Sequence, residues 1–254
     1  GNNYRGGGGG GAGAAGSPGS GYPDGGAGGA GKANAITSTV YAGGGGGGVR
    51  NDEGSSATGG AGGPGGGADG ADSPSGVGCN ATANTGGGGG GQGNYYGNSP
   101  SYKPGNGGSG RVLFKEPTVN ILRQAPGVWQ MNTVFDFRKQ DNWVQSPAFI
   151  SASGGTESTS GDYKIHTFTS SGTFTVTQAA IGKPSAESAV DYIIVAGGGA
   201  GATPGGNSGG GGGGGGVRAS AVTYTNGGPS SPRTSGVDGV AVTAQAYSIV
   251  VGAG

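Results

Sequence analysis

Apolar positions in this chain come in short runs, and long stretches between the runs carry almost no side chains. The clearest case is DYIIVAGGGAGATPGGNSGGGGGGGGVR at 191–218, where a strand of Tyr192, Ile193, Ile194 and Val195 opens directly into glycine and 209–216 is glycine without a break. AITSTVYA at 35–42 is rich in β-branched residues, reads as a strand, and leads into the glycines of 43–48. GRVLFK at 110–115 is a further short strand, closed by Pro117. Tyr163, Ile165 and Thr167 alternate with Lys164, His166 and Phe168, and a second run at 173–177 follows Ser170, Ser171 and Gly172. That pattern predicts a β-hairpin. The stretch 151–160 is polar; 189–196, 219–224 and 245–251 read as strands, the last two flanking a turn-rich loop at 226–239. One segment breaks the pattern: 118–149 has hardly any glycine and holds both tryptophans, Trp129 and Trp143. Within it Val128, Met131, Val134 and Phe135 fall at helical spacing, which predicts one short helix or collar.

Composition changes what the glycine tracts can be. Glycine supplies 71 of 254 residues, far above the usual ~7%, and hydrophobic residues make up 31%, too few for an ordinary core of this length. Glycine- and serine-rich chains are ordinarily flexible linkers, because ordering a residue costs roughly 1–2 kcal/mol and glycine loses the most freedom. The ordered alternative is the polyproline II conformation, with three residues per turn and no internal hydrogen bonds, whose backbone groups must pair between neighbouring tracts. Gly13, Gly16, Gly19, Gly25, Gly28 and Gly31 share one three-residue phase, broken at Tyr22, as a rod with one bare packing face requires. At ~3.1 Å per residue the 209–216 run would span about 25 Å. Collagen needs glycine strictly every third residue with abundant proline, and 13 prolines with irregular glycine phase exclude it. The phrase GGGGGGVR occurs at 43–50 and at 211–218, an internal repeat that predicts equivalent rod ends with valine turned inward and arginine at the surface.

Charge and candidate chemistry narrow the function classes. Thirteen basic residues balance 13 acidic ones, so no basic face recruits nucleic acid and no acidic tail exists. No run of about 20 apolar residues is present to insert in a membrane as a helix. Cys79 is the sole cysteine and His166 the sole histidine, so neither an internal disulfide nor a metal site is expected. Phosphate-loop patterns carry no information in a chain this rich in glycine, and no nucleophile–base pair or paired carboxylates stand out. The expectation is a non-enzyme with no cofactor. Asp69, Asp72, Ser73 and Ser75 surround Pro74 as a solvated polar turn; a calcium loop would need a closing acidic ligand that is missing here. Tyr95, Tyr96 and Tyr102 lie in QGNYYGNSPSY. They read either as aromatic caps on glycine rods or as a recognition surface, since tyrosine among asparagine and serine suits adaptable contact. Arg233, in the 226–239 loop, joins them as a receptor-contact candidate.

GDYKIHTFTSSGTFTV (161–176), DYIIVAGGGAGA (191–202), AYSIVVGAG (246–254) and GSGRVLFK (108–115) together resemble the glycine-rich domain of phage tail-fibre and other virion structural proteins. APGVWQMNTVFDFRKQDNW (125–143) is similar to the tryptophan segment that follows or separates such domains. Pattern, composition and this resemblance together predict a mainly β fold with a polyglycine II helix bundle: short hairpins joined to glycine-rich rods, with the helix or collar between them. The resemblance also implies the order hairpin, glycine rods, closing strand, tryptophan segment. Here the hairpin lies at 161 and the closing strand at 111, and joining Gly254 to Gly1 would restore that order. The expected domains are therefore 1–116 (C-terminal part of a glycine-rich domain), 117–150 (tryptophan linker) and 151–254 (N-terminal part), one period of a longer tandem chain. Implied partners are copies of the chain itself, as a homotrimer or filament, and a host-surface glycan or protein; the implied location is the virion or the extracellular space. Rival classes are a secreted cell-surface or matrix filament, and an ice- or surface-binding polyglycine II module, against which the irregular threonine and alanine rows count. The tandem reading predicts an intact mass above 23.6 kDa; mass spectrometry that returns that value would overturn it.

Overall fold

The computed structural model describes residues 5–19, 24–51, 57–73, 75–95, 102–117, 139, 149–161, 163–180, 189–203, 208–220 and 239–254. The fold is β-rich. Its strands are β1 (Lys32–Ala33), β2 (Val40–Tyr41), β3 (Arg50–Asn51), β4 (Asn94–Tyr95), β5 (Arg111–Pro117), β6 (Ser151–Ser153), β7 (Thr156–Ser160), β8 (Tyr163–Phe168), β9 (Gly172–Gln178), β10 (Ala189–Val195), β11 (Val217–Ala219), β12 (Val240–Ala241) and β13 (Ala246–Ile249). The expected helix or collar at 128–140 falls outside the described residues, apart from Lys139, whose backbone is helical.

The larger sheet has the order β11-β10-β5-β8-β7, with β12 also pairing β10, and the smaller has the order β13-β9-β6. Strand alternation decides which way each apolar residue points. On one face of the larger sheet, Val112 and Phe168 meet Ala152, Phe174 and Val176 of the smaller sheet, with Phe114 packed against the cluster. Phe114 stacks on Phe174 at 4.6 Å between ring centroids. On the opposite face, Leu113, Ile165, Ile193 and Val195 bury against Tyr41 and Ala42, which lead into the 43–48 glycines. Arg111 crosses the same boundary, donating from Nη1 to the Tyr41 hydroxyl at 2.8 Å.

Two expected elements differ. The 163–177 pattern does form two strands, but they are not a hairpin: β8 pairs β7 and β5, whereas β9 pairs β13 and β6. The partner of β8 is the polar stretch before it, reached through a tight turn in which Gly161 has φ +56°, a conformation that favours glycine. Placing β8 and β9 in different sheets sets Phe168 edge-on to Phe174, centroids 6.5 Å apart, across the interface. The 35–42 strand is likewise interrupted. Asn34 accepts the amides of Ile36 and Thr37 on Oδ1, at 2.9 and 2.7 Å, and donates from Nδ2 to the Thr39 carbonyl. That side-chain turn folds 34–39 back so that only Val40–Tyr41 pairs, with Lys32–Ala33.

The glycine tracts are joined through their main chains. Residues 43–48 are buried throughout, and successive amides donate to different neighbours. Gly44 and Gly47 donate to Gly29 and Gly26, Gly45 and Gly48 to Gly212 and Gly209, and Gly43 and Gly46 to Gly65 and Ala68. Their carbonyls follow the same period, with Gly43 and Gly46 accepting from Gly88 and Gly91, Gly44 and Gly47 from Gly63 and Gly60, and Gly45 and Gly48 from Gly9 and Gly6. All these bonds are 2.8–3.2 Å long. The tract at 86–92 behaves alike: beside the 43–48 contact, Gly89 and Gln92 donate to Gly199 and Ala202, and Gly90 to Cys79, while Gly87 and Gly90 accept from Gly108 and Gly105 and Gly88 and Gly91 from Ala68 and Ala71. Outer tracts bury every third residue, as at Ala57, Gly60 and Gly63 or at Gly209, Gly212 and Gly215. At each of the six phased glycines from Gly13 to Gly31, an added Cβ would run into another segment.

Registers show that 43–48 and 86–92 run in the same direction and 209–216 runs against both. The two GGGGGGVR copies therefore leave at opposite ends. Val49 is buried at the end remote from the sheets, and Val217 pairs with Val195 inside β11–β10. An alanine at Gly45 would drive its Cβ into the Gly89 carbonyl, whereas one at Gly213 would stand 3.8 Å from the nearest atom, the Gly10 carbonyl oxygen. Gly45→Ala is expected to cost about 1–3 kcal/mol of stability through overpacking, and Gly213→Ala to change it by less than about 1 kcal/mol. Thermal denaturation compares them; equal melting temperatures would contradict this packing.

Candidate interaction surface

The same registers sort the ends of the tracts. Gly43, Gly86, Gly110 and Gly216 lie where the tracts join the sheets; Gly6, Gly48, Gln92, Ala202 and Gly209 lie at the other end. That free end also holds the residues flanking 20–23, 52–56, 96–101 and 204–207, which lie outside the described residues. β3 and β4 pair in parallel there, setting Asn51 beside Tyr95.

Of the sequence-predicted contact residues, the structure brings Tyr95 and Tyr102 to this end. Tyr96 and Arg233 lie outside the described residues. Tyr102 is half-buried, and its ring covers Gly76 so closely that a Cβ there would enter the ring. Gly76 has φ +67°, so the backbone conformation and the ring both require glycine at this position. The turn beneath is held by Ser75, whose hydroxyl donates to the Asp72 carbonyl at 3.0 Å, and by the Gly76 amide donating to the same oxygen at 3.2 Å. Tyr102 thus caps a turn at the end of the tracts.

Asp69 and Asp72 do more than make the solvated turn expected from sequence. Each Oδ1 accepts a backbone amide of the adjoining tract at 2.7 Å, Asp69 from Gly62 and Asp72 from Gly59. The three-residue spacing of the two aspartates matches that of the two glycines, a signal present in the sequence and readable once the period of the tract is known. On the opposite side of the glycine tracts nothing comparable covers Gly10, Gly210 and Gly213, whose amides have no hydrogen-bond partner among the described residues. Sequence reasoning also missed Gln92. It is 8% exposed, and its Oε1 is buried without a hydrogen-bond partner, as are Ser73 Oγ and Ser208 Oγ near the same end. Its only sequence signal is that it interrupts the glycine run after 86–91.

The free end therefore offers a tyrosine ring, hydroxyls, carboxylates and buried acceptor atoms, a set suited to hydrogen-bonded contact. His166 lies far from it, fully buried between the sheets. Cys79 is exposed as a free thiol. Among the described residues no group of three or more His, Cys, Asp or Glu could hold a metal ion, and no helix is long and apolar enough to cross a membrane. If Tyr102 works through its ring, Tyr102→Phe should stay within about 0.5 kcal/mol of the parent in chemical denaturation, and Tyr102→Ala should lose about 1–3 kcal/mol. Equal losses in both variants would assign the role to the hydroxyl. In comparisons with family models, curated proteins and solved structures, none matches this chain.

Proposed function

We propose that this chain is a non-enzymatic structural fibre protein of a phage virion, a tail fibre or similar appendage. In this reading its glycine tracts form a bundle of polyglycine II helices that stiffens the fibre and carries recognition loops at the end away from the sheets. One observation carries the reading: the backbone hydrogen bonds of 43–48 and 86–92 recur every third residue, and each of these tracts is bonded to six others among the described residues. A helix with three residues per turn and no internal hydrogen bonds points its amides outward in three directions, which supports that conformation over sheet or coil. A fibre needs reach and rigidity, and rods that pair through amides supply both where side chains are too small to form a core.

Host-surface contact is assigned to Tyr95, Tyr96, Tyr102 and Arg233, with a surface glycan or protein as partner. Self-association into a trimer or filament draws support from the uncovered amides of Gly10, Gly210 and Gly213, opposite the edge closed by Asp69 and Asp72. The test is mass spectrometry of purified particles of the phage that encodes the chain, with light scattering on the purified protein. The chain is expected among the virion proteins and at a multiple of its single-chain mass. Finding it on a cell surface and missing from particles would replace the virion assignment with a cellular filament.

A further inference from the structure

The seam between the two β-sheets contains an ionic cluster, buried at Glu116 and His166 and open to solvent at Glu157, that plays no part in the proposed fibre function. Glu116 on β5 and His166 on β8 are 1% and 0% exposed. His166 Nε2 lies 3.2 Å from Glu116 Oε1, and Lys164 Nζ approaches the same oxygen at 3.4 Å. Glu157 on β7 reaches Lys164 Nζ at 3.6 Å and lies 3.8 Å from His166 Nδ1. The register sets these residues side by side, pairing Glu116 with Lys164 and Glu157 with His166. The smaller sheet contributes uncharged groups: the Ala152 carbonyl on β6, 3.3 Å from Lys164 Nζ, the Gly154 carbonyl just after β6, 2.9 Å from His166 Nδ1, and the Phe174 ring on β9, edge-on to the imidazole at 5.1 Å.

We propose that this cluster is a proton-controlled latch between β5 and the β6–β7 turn, closed while His166 is an imidazolium and loosened when it is neutral. A carbonyl oxygen only accepts hydrogen bonds, so Nδ1 must carry a hydrogen to bond Gly154. The second nitrogen then decides the state of the latch. Protonated, Nε2 donates to Glu116 Oε1 and the ring ties β5 to the β6–β7 turn. Deprotonated, its lone pair faces a carboxylate oxygen with water excluded. Glu116 Oε2 lacks a hydrogen-bond partner among the described residues, so Lys164 Nζ is then the cation left beside the carboxylate.

The balance of forces favours the closed state. Burial pushes the His166 pKa down, but hydrogen bonds to Glu116 and to the Gly154 carbonyl, with the charges of Glu116 and Glu157, raise it above its ordinary 6.5. A group whose pKa is higher folded than unfolded contributes all its stabilisation below the unfolded value and loses it as pH rises through the folded one. The latch is therefore tightest below about pH 6.5 and loosens in the alkaline direction.

His166 is the only histidine among these 254 residues, so one imidazole resonance reports the latch in this 254-residue chain. Nuclear magnetic resonance is expected to give a titration midpoint above 6.5, and Glu116→Gln should move that midpoint down. The melting temperature should fall between about pH 6 and about pH 9 in the parent and change much less in His166→Gln. A parent midpoint at or below 6.5, or an equal pH dependence in His166→Gln, overturns the proposal. Should His166→Gln fail to fold, the parent titration decides alone.

Discussion

A buried peptide group must hydrogen-bond, and in this protein that requirement acts with almost no side chains to modify it. At 43–48 every residue is glycine and every residue is buried, so the main chain is the only source of partners. The chain meets the constraint by directing successive amides to different neighbours and repeating after three residues. Each such bond contributes a net 0.5–1.5 kcal/mol, no more than the roughly 1–2 kcal/mol of backbone entropy lost per ordered residue. Close packing adds dispersion attraction that only a bare chain permits. The same closeness makes the arrangement intolerant: at Gly44, Gly45, Gly46 and Gly47 a single added carbon would meet a neighbouring carbonyl.

The β-sheets solve the problem at the other end of the tracts by ordinary means. β5 enters the larger sheet between β10 and β8, although more than 40 residues separate it from either in sequence. It arrives from the 102–110 tract, just as β10 leads into the tract at 196–203, so the sheet gathers chain ends that the glycine section presents together. Leu113, Ile193 and Val195 bury against Tyr41 and Ala42, which forms an apolar plug between tracts and sheet. The second apolar cluster, around Phe114, Phe168 and Phe174, holds the smaller sheet, and the Glu116–His166 pair lies beside it.

Edges are treated unequally, and this follows from composition. On the 57–63 side Asp69 and Asp72 supply carboxylates to amides that would otherwise face water, much as side chains blunt an exposed strand edge. On the 209–216 side the outward residues are glycines, which have nothing to offer. A protein that relies on its main chain for cohesion can close an edge only where it gives up a glycine.

Much of the architecture was legible in the residues. Strand positions at 111–117, 163–168, 172–178 and 189–195 follow from alternation and β-branching, and the bare phase from Gly13 to Gly31 follows from spacing; these are local properties carried by each residue's own side chain, or by its absence. Pairing was not legible in the same way. The 163–177 pattern fits a hairpin, but β8 found β7 and β5 while β9 found β13 and β6, because burying Phe168 against Phe174 across two sheets depends on contacts distant in sequence. Asn34 broke a strand that its neighbours' propensities favoured, and Thr156–Ser160, exposed at every residue, carried no apolar signal to mark it. The two GGGGGGVR copies are identical in sequence and leave at opposite ends, since strand sense is a property of the assembled neighbours. By itself, then, the sequence determined where the chain is bare, where it is extended and which residues seek burial; which backbone partners which, and hence which polar groups end up buried side by side, was decided only when distant segments packed together.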